Sequence, residues 1–74
     1  MKRKGEFLHD QKRLGARIKA LRKDAGLNQT QLAERVGVKI MRISGIENGL
    51  STTTDTLHRI ANALGYQVEL VKKE

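Results

Sequence analysis

Gly26, Gly37, Gly49 and Gly65 each close an apolar stripe of helical period, and proline is absent from all 74 residues. Glycine readily ends an α-helix in a left-handed turn, so this punctuation cuts the chain into short helices. The first runs from about Asp10 to Ala25, with Leu14, Ile18, Leu21 and Ala25 on one side. Its start could equally lie nearer Leu14. Gly15 inside it costs about 1 kcal/mol relative to alanine, which points to a close helix contact there. "LNQTQLAERVG" supplies Asn28 as N-cap and the stripe Leu32, Ala33 and Val36. A third helix spans about Lys39 to Asn48. In the fourth, Thr53 is the expected N-cap and Leu57, Ile60, Ala61 and Leu64 form the apolar side. After Gly65 the period changes: Tyr66, Val68 and Leu70 alternate with Gln67 and Glu69, which predicts a β-strand. The expected fold is all-α, four or five helices with one C-terminal strand.

The second and third helices, separated by a turn at Gly37, make a helix-turn-helix candidate. Ala33 is small where the third helix must lie close, and Val38, Ile43 and Ile46 wedge that helix against the rest. Ile43 and Ile46 fall on one side at about 100° per residue, and Met41 and Gly45 fall nearly opposite. Lys39, Met41, Arg42 and Gly45 are then left facing outward. Ile40 fits either the core or this outward face.

Charge narrows the partner. Fifteen Lys and Arg against eight Asp and Glu give a formal +7, with a pI near 10.3, so a polyanion is the expected ligand. The two aromatics, Phe7 and Tyr66, are too few for the stacking platforms of single-strand and RNA binders, which leaves duplex DNA. No cysteine is present for disulfides or thiolate metal sites, and His9 and His58 are far apart and lack carboxylate neighbours. No metal, cofactor or catalytic role is expected. Ser44 has no base nearby in sequence. No apolar run approaches the ~20 residues of a membrane span, and the basic N-terminus lacks the apolar segment of a secretory signal. The expected location is the cytoplasm, at the nucleoid.

Residues 14–65 resemble the phage Cro/repressor-type (Xre-family) helix-turn-helix domain, a lambda-repressor-like bundle. The matching words are "LGARIKALRKDAGLNQTQLAERVGV", "ISGIENG" and "TLHRIANALG". The resemblance implies insertion of the helix beginning near Lys39 into the major groove. It makes Gln29 a phosphate contact at the start of the second helix and Asn48 a phosphate contact after the third. It makes Arg22 and Glu47 a charged pair tying the first helix to the end of the third, the alternative being two exposed charges. It places Lys39, Ile40, Met41 and Gly45 at base edges or the adjoining backbone, with Arg42 beside them. Elementary chemistry agrees: Asn28 and Gln29 sit at a helix N-terminus whose free N–H groups suit phosphate. Met41 suits thymine methyl groups, Gly45 permits close approach, and Lys39 and Arg42 can grip phosphate or guanine. The chain departs from the pattern at Ile40, Met41 and Gly45, where several members carry glutamines or other hydrogen-bonding residues; the expectation there is shape readout or a modest specificity ratio.

The expected organisation is a basic arm over residues 1–9, the DNA-binding domain over 10–65, and a dimerisation strand with tail over 66–74. A helix-turn-helix followed by "GYQVELVKK" is similar to antitoxins of the Hip type, which bind kinase-fold toxins and dimerise partly through a C-terminal strand. The expected function is therefore an antitoxin that represses its own operon and holds its toxin. A stand-alone repressor is the alternative, and a protein-interaction adaptor a remoter one. The unpaired backbone of Tyr66, Val68 and Leu70 would be satisfied by the same strand of a second copy, giving a two-fold dimer and an inverted-repeat operator. The competing expectation is a tail that orders only on the toxin.

Overall fold

The computed structural model describes residues 11–69, which fold as α1 (Gln11–Asp24), α2 (Gln29–Val36), α3 (Ile40–Glu47) and α4 (Thr54–Ala63). Each helix ends as the glycine pattern predicts. In α2, Gly37 takes φ 85°, which turns the chain so that the Val38 N–H reaches back to the Ala33 carbonyl at 3.0 Å. The same backward hydrogen bond, spanning five residues, closes the other three helices: Leu27 to Arg22, Leu50 to Gly45 and Tyr66 to Ala61. The helix starts are secured by side chains. Asn28 and Gln31 form a reciprocal capping box on α2, and the Thr53 hydroxyl accepts the Thr56 N–H on α4.

Ile18, Leu27, Leu32, Ala33, Val36, Ile43, Ile46 and Ile60 form the core, with Leu14, Val38, Leu57, Ala63 and Leu64 packed around it. Ile43 and Ile46 are nearly sealed from solvent, as expected of the wedge. The buried side of α1 differs from the expected stripe. It runs Gly15, Ile18 and Arg22, while Ala25 lies beyond the helix and is exposed. Gly15 explains the shift. A Cβ there would overlap the Ile46 carbonyl oxygen and lie 2.9 Å from that of Glu47, so α1 meets the end of α3 backbone to backbone.

Among the described residues there is no strand. Tyr66–Glu69 carry no ladder, and Leu70 and the remaining tail lie outside the described residues, as does the 1–9 arm. A ladder requires a second backbone, and the Tyr66 N–H is already committed to Ala61 at 2.8 Å. Tyr66 and Val68 are exposed on this single chain.

Candidate nucleic-acid interface

α3 is amphipathic in an unusual sense. Ile43, Ile46 and Glu47 anchor it inward, whereas Ile40, Met41 and Arg42 are exposed. Met41 is 80% exposed and Ile40 44%, so Ile40 is not a core residue. Lys39 occupies the N-cap in an extended conformation without making a side-chain cap, which leaves its ammonium on the surface. No intramolecular hydrogen bond or ion pair engages the side chains of Lys39 or Arg42 among the described residues. Two long cations and an apolar side chain therefore stand together on one exposed turn. Gly45 lies on the same side, half-buried, in a shallow groove bounded by Met41, Arg42, Ile46, Leu50 and Ser51.

Behind this face lies a buried polar junction. The Arg22 Nε donates to Glu47 Oε2 at 2.6 Å and its Nη2 to Oε1 at 3.1 Å, a two-pronged ion pair. The third nitrogen, Nη1, donates to the Leu27 carbonyl at 2.8 Å. Arg22 and Glu47 are only 6% and 7% exposed. Such a pair costs much to desolvate, and each remaining hydrogen bond helps to offset that cost. Here every nitrogen of the guanidinium has an acceptor. Glu47 also accepts from Gln29 Nε2 at 3.1 Å. The first residue of α2, the last of α3 and the last full turn of α1 are thus joined at one carboxylate.

That junction orients the neighbouring groups. The capping box uses the Asn28 side-chain oxygen on the Gln31 N–H at 2.7 Å, and the Asn28 N–H on Gln31 Oε1 at 2.8 Å. The N–H groups of Gln29 and Thr30 are the ones in the first turn of α2 that neither cap nor helix engages. They can donate to an anion together with the second N–H of the Gln29 amide. At the far end of α3, Asn48 Nδ2 donates to the Ser44 carbonyl at 2.9 Å, which fixes its orientation on the exposed surface. Lys12 lies against the neighbouring Gly49: a Cβ on that glycine would sit 2.9 Å from Lys12 Cγ. α1 therefore contributes a basic residue beside the end of α3.

The structure brings Lys39, Ile40, Met41, Arg42, Gly45 and Asn48 together along α3, with Asn28 and Gln29 at the α2 start. Tyr66 and Val68 follow α4. Three further residues matter that the sequence reading did not single out. Gln31 is the second half of the capping box, and its place three residues after Asn28 was a readable signal. Arg59 pairs with Asp55 at 3.0 Å and reaches the Val36 carbonyl at 3.1 Å, holding α4 to the turn before α3. Its link to Asp55 has the i, i+4 spacing, but its link to Val36 leaves no trace in sequence. Leu50 is the third; nothing in its local pattern marks it.

The comparisons with known proteins agree with this geometry. The family model described as "Helix-turn-helix" matches residues 18–71. The ImmF control region 10 kDa protein of Bacillus phage phi105 is 41% identical over 64 residues, covering 85% of this chain and 71% of that protein. The immunity repressor protein of the same phage is 39% identical over 62 residues, 82% of this chain and 43% of its own length. An uncharacterized HTH-type transcriptional regulator of Methanothermobacter thermautotrophicus is 49% identical over 49 residues, 65% of this chain and 71% of that protein. Among solved structures, a chain of a HipA–HipB–O2–O3 complex matches with a TM-score of 0.75 and 29% identity. The match covers 86% of this chain and 92% of that one. With its exposed third helix seated on a buried α2–α3 core and most of its length matched, the chain belongs to the Xre-type helix-turn-helix family of DNA-binding transcriptional regulators.

Proposed function

We propose that the protein is a homodimeric repressor that inserts α3 into the major groove of an inverted-repeat operator upstream of its own gene. The observation that carries this is the outer side of α3, where Met41 and Arg42 are exposed beside Lys39 while Ile43, Ile46 and Glu47 hold the helix down. Met41 and Ile40 then meet base edges, Lys39 and Arg42 meet phosphate or guanine, and Gly45 allows the helix to sit deep. Asn28, Gln29 and Asn48 position the backbone phosphates on either side. Residues 10–65 form the DNA-binding unit in this reading, with residues 1–9 as a basic arm and 66–74 as the dimerisation strand. Exposed Tyr66 and Val68, continued by Leu70, pair with the same segment of a second copy.

A second role is favoured by the likeness to the chain in the HipA–HipB–O2–O3 complex, which spans most of both chains. In that role the repressor is also an antitoxin that holds a kinase-fold toxin encoded beside it. The stand-alone repressor is favoured instead by the phage immunity-region relatives. Co-purification with the neighbouring gene product separates the two.

Binding to duplex DNA tests the shared core of both. With about six phosphates engaged, log affinity should fall against log salt with a slope near −5. Arg42→Ala should weaken binding and lower that slope by about 1 while leaving the melting temperature unchanged. Equal affinity for the upstream region and for random duplex at physiological salt would refute the repressor reading. Removal of residues 66–74 should convert the dimer to a monomer in sedimentation; an unchanged dimer would exclude the strand as its interface.

A further inference from the structure

Among the described residues, Leu50 is the one exposed large apolar side chain whose position the DNA-binding reading above does not use. Its backbone is tied down: the Leu50 N–H donates to the Gly45 carbonyl at 2.9 Å, the closing bond of α3, after Gly49 turns with φ 102°. The residue at this place in a helix ending usually packs back on the helix or into the core. Leu27 at the end of α1 does so and is 9% exposed, and Val38 at the end of α2 packs against the core. Leu50 folds back onto α3 at Gly45 but does not reach the core, and it remains 65% exposed.

What Leu50 covers is Gly45. A Cβ on Gly45 would lie 2.8 Å from Leu50 Cδ1 and 3.6 Å from Cγ. Leu50 therefore occupies the space that a side chain at position 45 would take, one turn beyond Met41 on the outward side of α3. Met41 and Leu50 are the two most exposed large apolar side chains among the described residues, and they border the same groove. Arg42 borders that groove and Lys39 lies beyond it next to Met41, on a chain of formal charge +7. An apolar protein partner would not call for those cations; the major groove supplies both phosphates and methyl groups.

We propose that Leu50 is a specificity-determining residue that reads thymine C5-methyl groups next to those read by Met41, its side chain standing in for the one Gly45 lacks. The consequence is a half-site in which adjacent thymines are selected by their methyl groups. This assignment rests on the DNA-binding reading above. On this account the small Gly45 admits Leu50 as well as letting the helix sit deep in the groove.

The test starts from a duplex site selected out of a random pool by the full-length protein, followed by exchange of each thymine for uracil, which removes only the methyl. For the parent protein, uracil at a contacted position should weaken binding about fourfold, the change expected for one buried methyl-sized group. Leu50→Ala should abolish the thymine preference at one position and leave it intact at the position read by Met41. Gly45→Ala provides an independent check. Its new methyl must push aside only the end of a flexible side chain, so the fold should hold in a melting experiment while the same thymine preference is lost. Leu50→Ala binding with the parent's thymine preference at every position, or weakening all sequences equally, would overturn the assignment while leaving the repressor reading intact. Failure of the pool to yield any sequence preferred over random duplex would overturn both.

Discussion

Each side of α3 carries an exception to the usual distribution of polarity. Its inner end buries a charged residue, Glu47, against Arg22, while its outer side exposes Met41 and, through the loop, Leu50. The buried charges are completely engaged: the carboxylate takes both Arg22 and Gln29, and the guanidinium also takes the Leu27 carbonyl. The exposed apolar groups have little protein to touch. A polar group that has all its partners inside the chain holds the chain together. Apolar groups left in water beside unpaired cations are available to something outside it. The same eight-residue helix thus carries structural residues on one side and, in the function proposed above, recognition residues on the other, and substitutions should separate cleanly into two kinds of effect.

The largest effect is expected at the buried junction. Arg22→Ala leaves Glu47 buried with only the Gln29 amide, and losing one member of such a pair costs about 3–5 kcal/mol. For a domain of this size each kcal/mol lowers the melting temperature by about 4–8 °C, so a drop of more than about 12 °C in thermal unfolding is expected without any DNA present. A variant that melts like the parent yet fails to bind DNA would instead make Arg22 a DNA contact and erase the contrast between the two sides.

A smaller loss is expected at Gly15. Helix propensity alone predicts that alanine there stabilises by about 1 kcal/mol. The contact with the Ile46 and Glu47 carbonyls predicts the opposite sign, because a backbone must move; the expected cost is about 1–3 kcal/mol. Urea unfolding of Gly15→Ala gives the sign directly, and a gain in stability would mean that α1 can withdraw from the end of α3 at little cost.

The smallest effect on stability is expected on the outer side. Met41→Ala removes a side chain that is 80% exposed, so unfolding should change by less than about 0.5 kcal/mol. Its site preference in a binding selection should nevertheless change. Substantial unfolding of this variant would place Met41 among the structural residues.

Much of the architecture was legible locally. The four glycine-closed helix ends, the Asn28 and Thr53 caps, and the inward pair Ile43 and Ile46 all depend on residues within five positions of each other. Their hydrogen bonds and periodicity therefore leave a pattern in the sequence. Ala25 was misjudged for the same reason, since a periodic stripe takes no account of where the cap interrupts it. The outward placement of Met41 and Arg42 followed from helical spacing once the inner side was known.

Other features depended on contacts between distant segments. Arg22 meets Glu47 across 25 positions and Arg59 meets Val36 across 23. From the residues alone, Arg22 and Glu47 could equally have been solvated surface charges; only the resemblance to a known family suggested the pair. The contact of Leu50 with Gly45, five positions back, is local, but that the side chain stays 65% exposed there was not legible in the sequence. Local spacing determined where helices start, stop and show their apolar sides. Which side chains become buried partners and which are turned outward was decided by the packing of α1 and α2 against α3, a matter of space between segments that no short window of sequence contains.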